Sequence, residues 1–205
     1  MPLIFNKNNL AVWRIEEPLE VLYNRLDKKE LYERQLNLFR SEKRKQEWLA
    51  VRVLLKEMLN CETEIAYGEN GAPYLPDHSC RISISHTAGF AAVFLSGERR
   101  VGVDIEACSD KILPLAPKFI NTSEEHISGK DKLTHLMLHW SGKESVYKAL
   151  GVEGVEFASQ LLVVPFEPEQ SGSFQLKAKI EQRDTLFTVR YITDERFVLT
   201  WTEQP

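Results

Sequence analysis

Asp104 and Glu106 stand two residues apart in Gly102-Val103-Asp104-Ile105-Glu106. A few dozen residues on, Glu144 and Lys148 stand four apart in Trp140-Ser141-Gly142-Lys143-Glu144-Ser145-Val146-Tyr147-Lys148-Ala149. On a strand alternate side chains share a face, so the two acids project together while Val103 and Ile105 point into a core. Paired carboxylates of this kind can clamp a hard cation. On a helix Glu144 and Lys148 lie one turn apart, with Trp140 extending the same row. Three carboxylates and a lysine are the materials for a metal ion meeting a phosphate. Taken alone, a helical Glu/Lys pair is a solvated contact worth about a few tenths of a kcal/mol, and an Asp-x-Glu at a strand end is a solvated terminus. The combination is sharper, because the run Val101 to Ile105 is apolar enough to be buried, and a buried carboxylate persists only when paired or bound to a cation.

These two segments resemble the signature pair of the 4'-phosphopantetheinyl transferases, in the larger, pseudo-dimeric monomers of the surfactin-synthetase-activating type. Three more segments fall in the family's order: Arg44-Lys45-Gln46-Glu47-Trp48-Leu49-Ala50-Val51-Arg52, Asn70-Gly71-Ala72-Pro73-Tyr74, and Ile82-Ser83-Ile84-Ser85-His86-Thr87. The resemblance runs from about residue 40 to 150. It implies transfer of the phosphopantetheine arm of coenzyme A (CoA) to a serine hydroxyl of an apo acyl or peptidyl carrier protein, with release of adenosine 3',5'-bisphosphate. A diphosphate repels an incoming nucleophile, so a hard cation, Mg2+, is implied to neutralise the developing charge. Asp104 and Glu106 supply its oxygen ligands. Glu144 stands either as a third ligand or as the base that takes the serine proton, directly or through water, and the sequence leaves both open. Lys148 reaches a phosphate oxygen as a point charge. Lys143 has the weaker claim, since it faces about 100° away from Glu144.

For the nucleotide end, the resemblance assigns Arg44 and Arg52, two turns apart on one helical face, to the 3'-phosphate, with His86 and Ser85 as further phosphate contacts. Asn70, Gly71 and Pro73 match the family's adenine-side turn. There the chain departs from the pattern, because a lysine commonly precedes that proline and this chain has Ala72. His135 and His139 are one helical turn apart, but the intervening Leu136-Met137-Leu138 marks a buried face rather than a metal site. A catalytically silent CoA-binding or regulatory module of the same fold is the alternative reading. The presence of all three acids and Lys148 disfavours it.

With 205 residues, 43% of them apolar, the chain can bury a core as one domain or as two small halves. A formal charge of -4 disfavours nucleic acid as a partner. Cys61, Cys80 and Cys108 are odd in number and widely spaced, which implies free thiols in reducing cytosol. The first residues lack a basic region leading into an apolar stretch, and no run approaches a membrane span, so a cytoplasmic, unexported protein is expected.

The elements that must position these residues are legible in outline. Residues 18 to 40 are polar with a helical pattern. A stronger helix runs from Ser41, a credible N-cap with Glu42 in the first turn, to Asn60. Residues 69 to 73 read as a turn. Arg81 to Ser85, Phe90 to Ser96 and Arg99 to Ile105 read as strands, the first two meeting at Ala88-Gly89. A helix from about Ser123 to Leu150, with Ser128-Gly129 as a point of interruption, ends at Gly151 in a left-handed cap. Strands follow near 161–166, 174–180, 186–192 and 197–201. Helix then sheet thus occurs twice, which predicts an α+β fold of two halves, residues 1–106 and 107–205, joined where Pro114 and Pro117 break the pattern. The resemblance implies a pseudo-two-fold between the halves, the site in the cleft between them, and a monomer that completes its own site.

Overall fold

The computed structural model describes residues 2–124, 131–181 and 183–205 of the chain. Strands β1 (Leu3–Lys7) and β2 (Leu10–Arg14) form a hairpin whose turn, Asn8-Asn9, has φ of 52° and 63°. Asparagine accepts that left-handed backbone, which matches the twist of paired strands. Short helices α1 (Leu19–Asn24) and α2 (Lys29–Leu38) lead into α3 (Glu42–Leu59). Ser41 caps α3 by accepting from the Arg44 amide at 3.4 Å, and Asn60 ends it in the left-handed region. Both boundaries were legible in the sequence. A two-stranded ribbon, β3 (Ala66–Tyr67) with β4 (Pro73–Tyr74), precedes β5 (Arg81–Thr87) and β6 (Phe90–Ser96). Next come β7 (Val101–Ala107), a 3-10 segment at Asp110–Lys118 and a short one at Thr122–Glu124. Helix α4 (Lys132–Leu150), the single turn α5 (Phe157–Gln160), and strands β8 (Leu161–Val163), β9 (Ser171–Ile180), β10 (Arg183–Thr193) and β11 (Phe197–Glu203) complete the chain. The interruption expected at Ser128-Gly129 lies outside the described residues.

All strand pairings are antiparallel. Sheet order is β1-β2-β6-β5 in the first half and β7-β11-β10-β9-β8 in the second. The fold is α+β: α3 packs on the first sheet through Leu49, Val53 and Leu54, and α4 packs on the second through Leu138, Val146 and Ala149. Strand β7, grouped with the first half in the sequence reading, is hydrogen-bonded to β11 and belongs to the second sheet. A third apolar cluster joins the halves. It packs Leu10, Val12, Ala92 and Phe94 of the first sheet against Val103, Ile105 and Leu199 of the second, with Phe90 and Phe197 rings 4.9 Å apart. Among the described residues, no helix is long and apolar enough to cross a membrane, and Cys61, Cys80 and Cys108 are free thiols.

Close packing of α4 on β7 sets the depth of the site. Gly102 lies directly under the helix, where a Cβ would run into the carbonyl oxygen of Ser145. At the same level Ser141 and Ser145 share the Thr200 hydroxyl of β11. At its C-terminus α4 stops on Gly151 (φ 62°), and Arg100 donates to the carbonyl of Leu150 at 3.0 Å.

Candidate active site

Asp104 and Glu106 alternate with apolar Val103 and Ile105 along β7, so both acids face α4. Asp104 is only 4% exposed. Its Oδ1 accepts from Lys148 Nζ at 2.8 Å and from Ser85 Oγ at 2.9 Å, while its buried Oδ2 has no partner among the described residues. Glu106 accepts from Trp140 Nε1 at 2.8 Å, so the row Trp140, Glu144, Lys148 on α4 faces the acid pair on β7. Burial pushes the Glu144 carboxyl up to about 7, with the neighbouring negative charges of Asp104 and Glu106 adding to the rise. Burial and Asp104 likewise raise Glu106. Glu106 and Glu144 therefore each lie in the field of neighbouring carboxylates, with the Lys148 charge offsetting only part of it.

Such a group has a deficit of positive charge, and a buried carboxylate oxygen without a partner fits a cation. Among the described residues no three His, Cys, Asp or Glu side chains are gathered as a ready-made metal cage.

On the other side of Lys148 opens a cleft of about 1020 Å3 lined by both halves. Five cationic side chains, Arg44, Arg52, Arg81, Arg100 and Lys148, line it against two carboxylates, Glu98 and Glu153. A chain that is acidic overall thus has a basic cleft, which favours an anionic ligand. Arg44 stands half-exposed at the first turns of α3 and contacts His86 Nε2 closely. Glu47, one turn on, reaches His86 Nδ1 at 3.4 Å and Arg44 at 3.6 Å. Burial, then the Arg44 charge, lowers the His86 pKa. Arg52 is 4% exposed, with its guanidinium over the Trp48 ring and Nη1 donating to the Trp48 carbonyl at 3.0 Å. Its Nε has no partner among the described residues, and burial lowers its pKa to about 10.

The turn at Asn70–Pro73 is built as its residue types require. Asn70 Oδ1 accepts from the Ala72 amide at 3.1 Å, Gly71 sits at φ 74°, and Pro73 opens β4. Tyr74 stacks on His78 at 6.1 Å and 10°, and both rings line the cleft. Ala72 itself brings no charge to this turn, while Arg52, Arg81 and Arg100 line the same cleft.

Arg44, Arg52, Asn70, Gly71, Pro73, His86 and Lys148 thus share one cleft. Asp104, Glu106 and Glu144 lie behind Lys148, and Ser85 faces Asp104 instead of the cleft wall. His135 and His139 are buried against Phe166, as the apolar face around them implied. Glu47 escaped the sequence reading, although its i+3 spacing from Arg44 was the available signal. Lys143 is also reassigned. It is fully buried, bonded to Glu124 Oε2 at 2.8 Å and to the Phe119 carbonyl at 2.5 Å, and so fastens α4 to the segment before it.

Fold and site together define a protein with two helix-on-sheet halves, a basic cleft between them and a carboxylate cluster at its inner end. Residues 100–202 match the 4'-phosphopantetheinyl transferase superfamily, and residues 38–96 match the 4'-phosphopantetheinyl transferase N-terminal domain. The chain belongs to the 4'-phosphopantetheinyl transferase superfamily. It is similar to the 4'-phosphopantetheinyl transferase AcpT of Escherichia coli K12, 42% identical over 64 residues, covering 31% of this chain and 33% of that protein. It is also similar to AcpT of Salmonella typhimurium, 32% identical over 115 residues, covering 53% of this chain and 60% of that protein. The aligned segments therefore span between a third and three fifths of these relatives.

Proposed function

We propose that this chain transfers the 4'-phosphopantetheine of CoA to a serine hydroxyl of an apo acyl or peptidyl carrier protein. The observation that carries this reading is Lys148, which lines the basic cleft and at the same time binds Asp104, with Glu144 held near pH 7 one helical turn away. In this reading the adenosine 3'-phosphate lies against Arg44, Arg52 and His86, and the base beside the Asn70-Gly71-Pro73 turn. The diphosphate points at Lys148. Asp104 and Glu106, with Glu144 beside them, would hold Mg2+, which would supply charge neutralisation on the diphosphate.

The serine oxygen attacks the phosphorus that carries the pantetheine arm, a new P–O bond forms, and the bond to the adenosine 5'-phosphate breaks. The serine proton passes to Glu144, directly or through water. Of the three acids, Glu144 is the one raised to about 7, which suits a base working near neutral pH. Lys148 steadies the charge that moves onto the departing adenosine 3',5'-bisphosphate.

The surfactin-activating subtype, an approximate two-fold between the halves, a two-half division read from the sequence as 1–106 and 107–205 and moved ahead of β7 by its pairing with β11, a cytoplasmic location and a monomeric working unit belong to the same proposal. Both walls of the cleft come from one chain, which supports the last. Incubation with CoA, Mg2+ and a panel of apo carriers, with adenosine 3',5'-bisphosphate as the readout, tests it. Release should require the carrier's acceptor serine, and release that persists with a Ser→Ala carrier would refute transfer to that hydroxyl.

A further inference from the structure

Strand β7 is an edge strand, so its amides on the side away from β11 have no backbone ladder. Those of Val103, Ile105 and Ala107 are met by side-chain hydroxyls of β5: Ser83 at 3.0 Å, Ser85 at 3.2 Å and Thr87 at 3.2 Å. These three residues pair in register with Phe94, Ala92 and Phe90, on the face of the first sheet that packs against the second. Strand alternation alone would call for apolar residues there. Hydroxyls stand in their place because each buried amide left without an acceptor would cost about 1–3 kcal/mol.

Among the described residues, the hydroxyls of Ser83 and Thr87 bond to β7 amides alone. Ser85 does more. It accepts from Ile105 N, which leaves its one proton to be donated, and that proton goes to Asp104 Oδ1 at 2.9 Å. Its side chain is buried and absent from the cleft wall, whereas its neighbour His86 faces Arg44 in the cleft. We propose that Ser85 is a positioning residue for Asp104, not a contact for the nucleotide phosphates as the family resemblance implied. With Ser85 and Lys148 both on Oδ1, the carboxylate is fixed from two sides and Oδ2 is the oxygen left for a cation.

This inference rests on the proposed function for its kinetic arm only. The test compares Ser85→Ala, Ser85→Thr and Thr87→Val, the last removing one rung of the seam without touching Asp104. CoA affinity is measured by calorimetry in EDTA, and cation binding by the Mn2+ concentration at half-maximal thermal shift in the absence of CoA. Ser85→Ala should leave CoA affinity within about twofold, raise the half-saturating Mn2+ about tenfold and lower kcat by a similar factor with little change in the KM for CoA. Ser85→Thr should restore the cation response. Thr87→Val should lower Tm alone. A tenfold loss of CoA affinity in EDTA for Ser85→Ala would overturn the proposal, and so would an unchanged Mn2+ response. If Ser85→Ala does not fold, Ser85→Cys, with its weak donor, should shift the Mn2+ response in the same direction. If the wild type modifies no carrier, the proposed function fails, while the CoA and Mn2+ measurements still decide the role of Ser85.

Discussion

Lys148 Nζ lies 2.8 Å from Asp104 Oδ1 and 2.9 Å from the Val103 carbonyl, so a single ammonium ties α4 to β7 where the basic cleft meets the carboxylates. Its side chain is 27% exposed and that of Asp104 6%, which places the pair between a surface contact and a buried one. Lys148→Met keeps the stem and removes the charge. Transfer should fall about 10²- to 10³-fold, the scale of losing one transition-state donor, and stability at neutral pH should fall by about 1–2 kcal/mol because Asp104 is left uncompensated. Urea unfolding and steady-state kinetics of the purified variant read both. An unchanged kcat would remove Lys148 from the chemistry.

Glu144 gives the protein a pH signature. Its folded pKa of about 7 lies above the ordinary carboxylate value of 4.5. Between those values the folded chain holds a proton that the unfolded chain has released, so stability declines as pH rises through that window. Glu144→Gln removes the decline. In EDTA the variant and wild type should be close near pH 4.5, and the variant should be more stable by roughly 1–2 kcal/mol at pH 8, a value discounted for partial exposure. Mg2+ should stabilise the wild type more at pH 8 than at pH 6, because cation and proton compete for the same carboxylates. Parallel stability curves for the two proteins would contradict a raised Glu144.

The basic wall of the cleft predicts a preference among ligands. CoA should raise Tm more than dephospho-CoA does, because Arg44, beside His86 in the cleft wall, can donate charge-assisted hydrogen bonds to the 3'-phosphate. The difference between the two ligands should shrink in Arg44→Ala. Equal shifts for the wild type would place the 3'-phosphate elsewhere.

Gly102 tests the spacing between helix and strand. A Cβ at that position collides with the backbone of Ser145 and approaches the Ala149 amide, neither of which can yield as a side-chain end would. Gly102→Ala should lift α4 from β7, cost about 1–3 kcal/mol as overpacking does, and reduce transfer even at temperatures where the protein remains folded. Retention of full activity would show that the separation of Glu144 and Lys148 from Asp104 is not critical.

Much of this arrangement could be read from residue types and spacing. The helix from Ser41 to Asn60 carried its own start and stop signals, and Gly151 marked the end of α4 for the same local reason. Strand β6 was bounded correctly because Gly89 and Gly97 flank an unbroken apolar run. What the sequence reading missed was set by distant partners. The hairpin of β1 and β2 was overlooked although Asn8-Asn9 was its turn signal, and the membership of β7 follows from β11, some ninety residues away. Ser85 was assigned to the ligand through its neighbour His86, yet adjacent strand residues point to opposite faces, and only the fold shows that the Ser85 face meets β7. Lys143 looked like a spare cation of the signature segment because its partner Glu124 lies outside that segment.

The most direct test of the central claim is the intact mass of an apo carrier protein after incubation with CoA, Mg2+ and this chain. Wild type should add one phosphopantetheine to the acceptor serine, while Asp104→Ala and Glu144→Ala, both folded by circular dichroism, should add none in the same time. A wild type that binds CoA yet leaves every carrier of a fatty-acid, polyketide and peptide-synthesis panel at its apo mass would contradict the claim, as would normal modification by either variant.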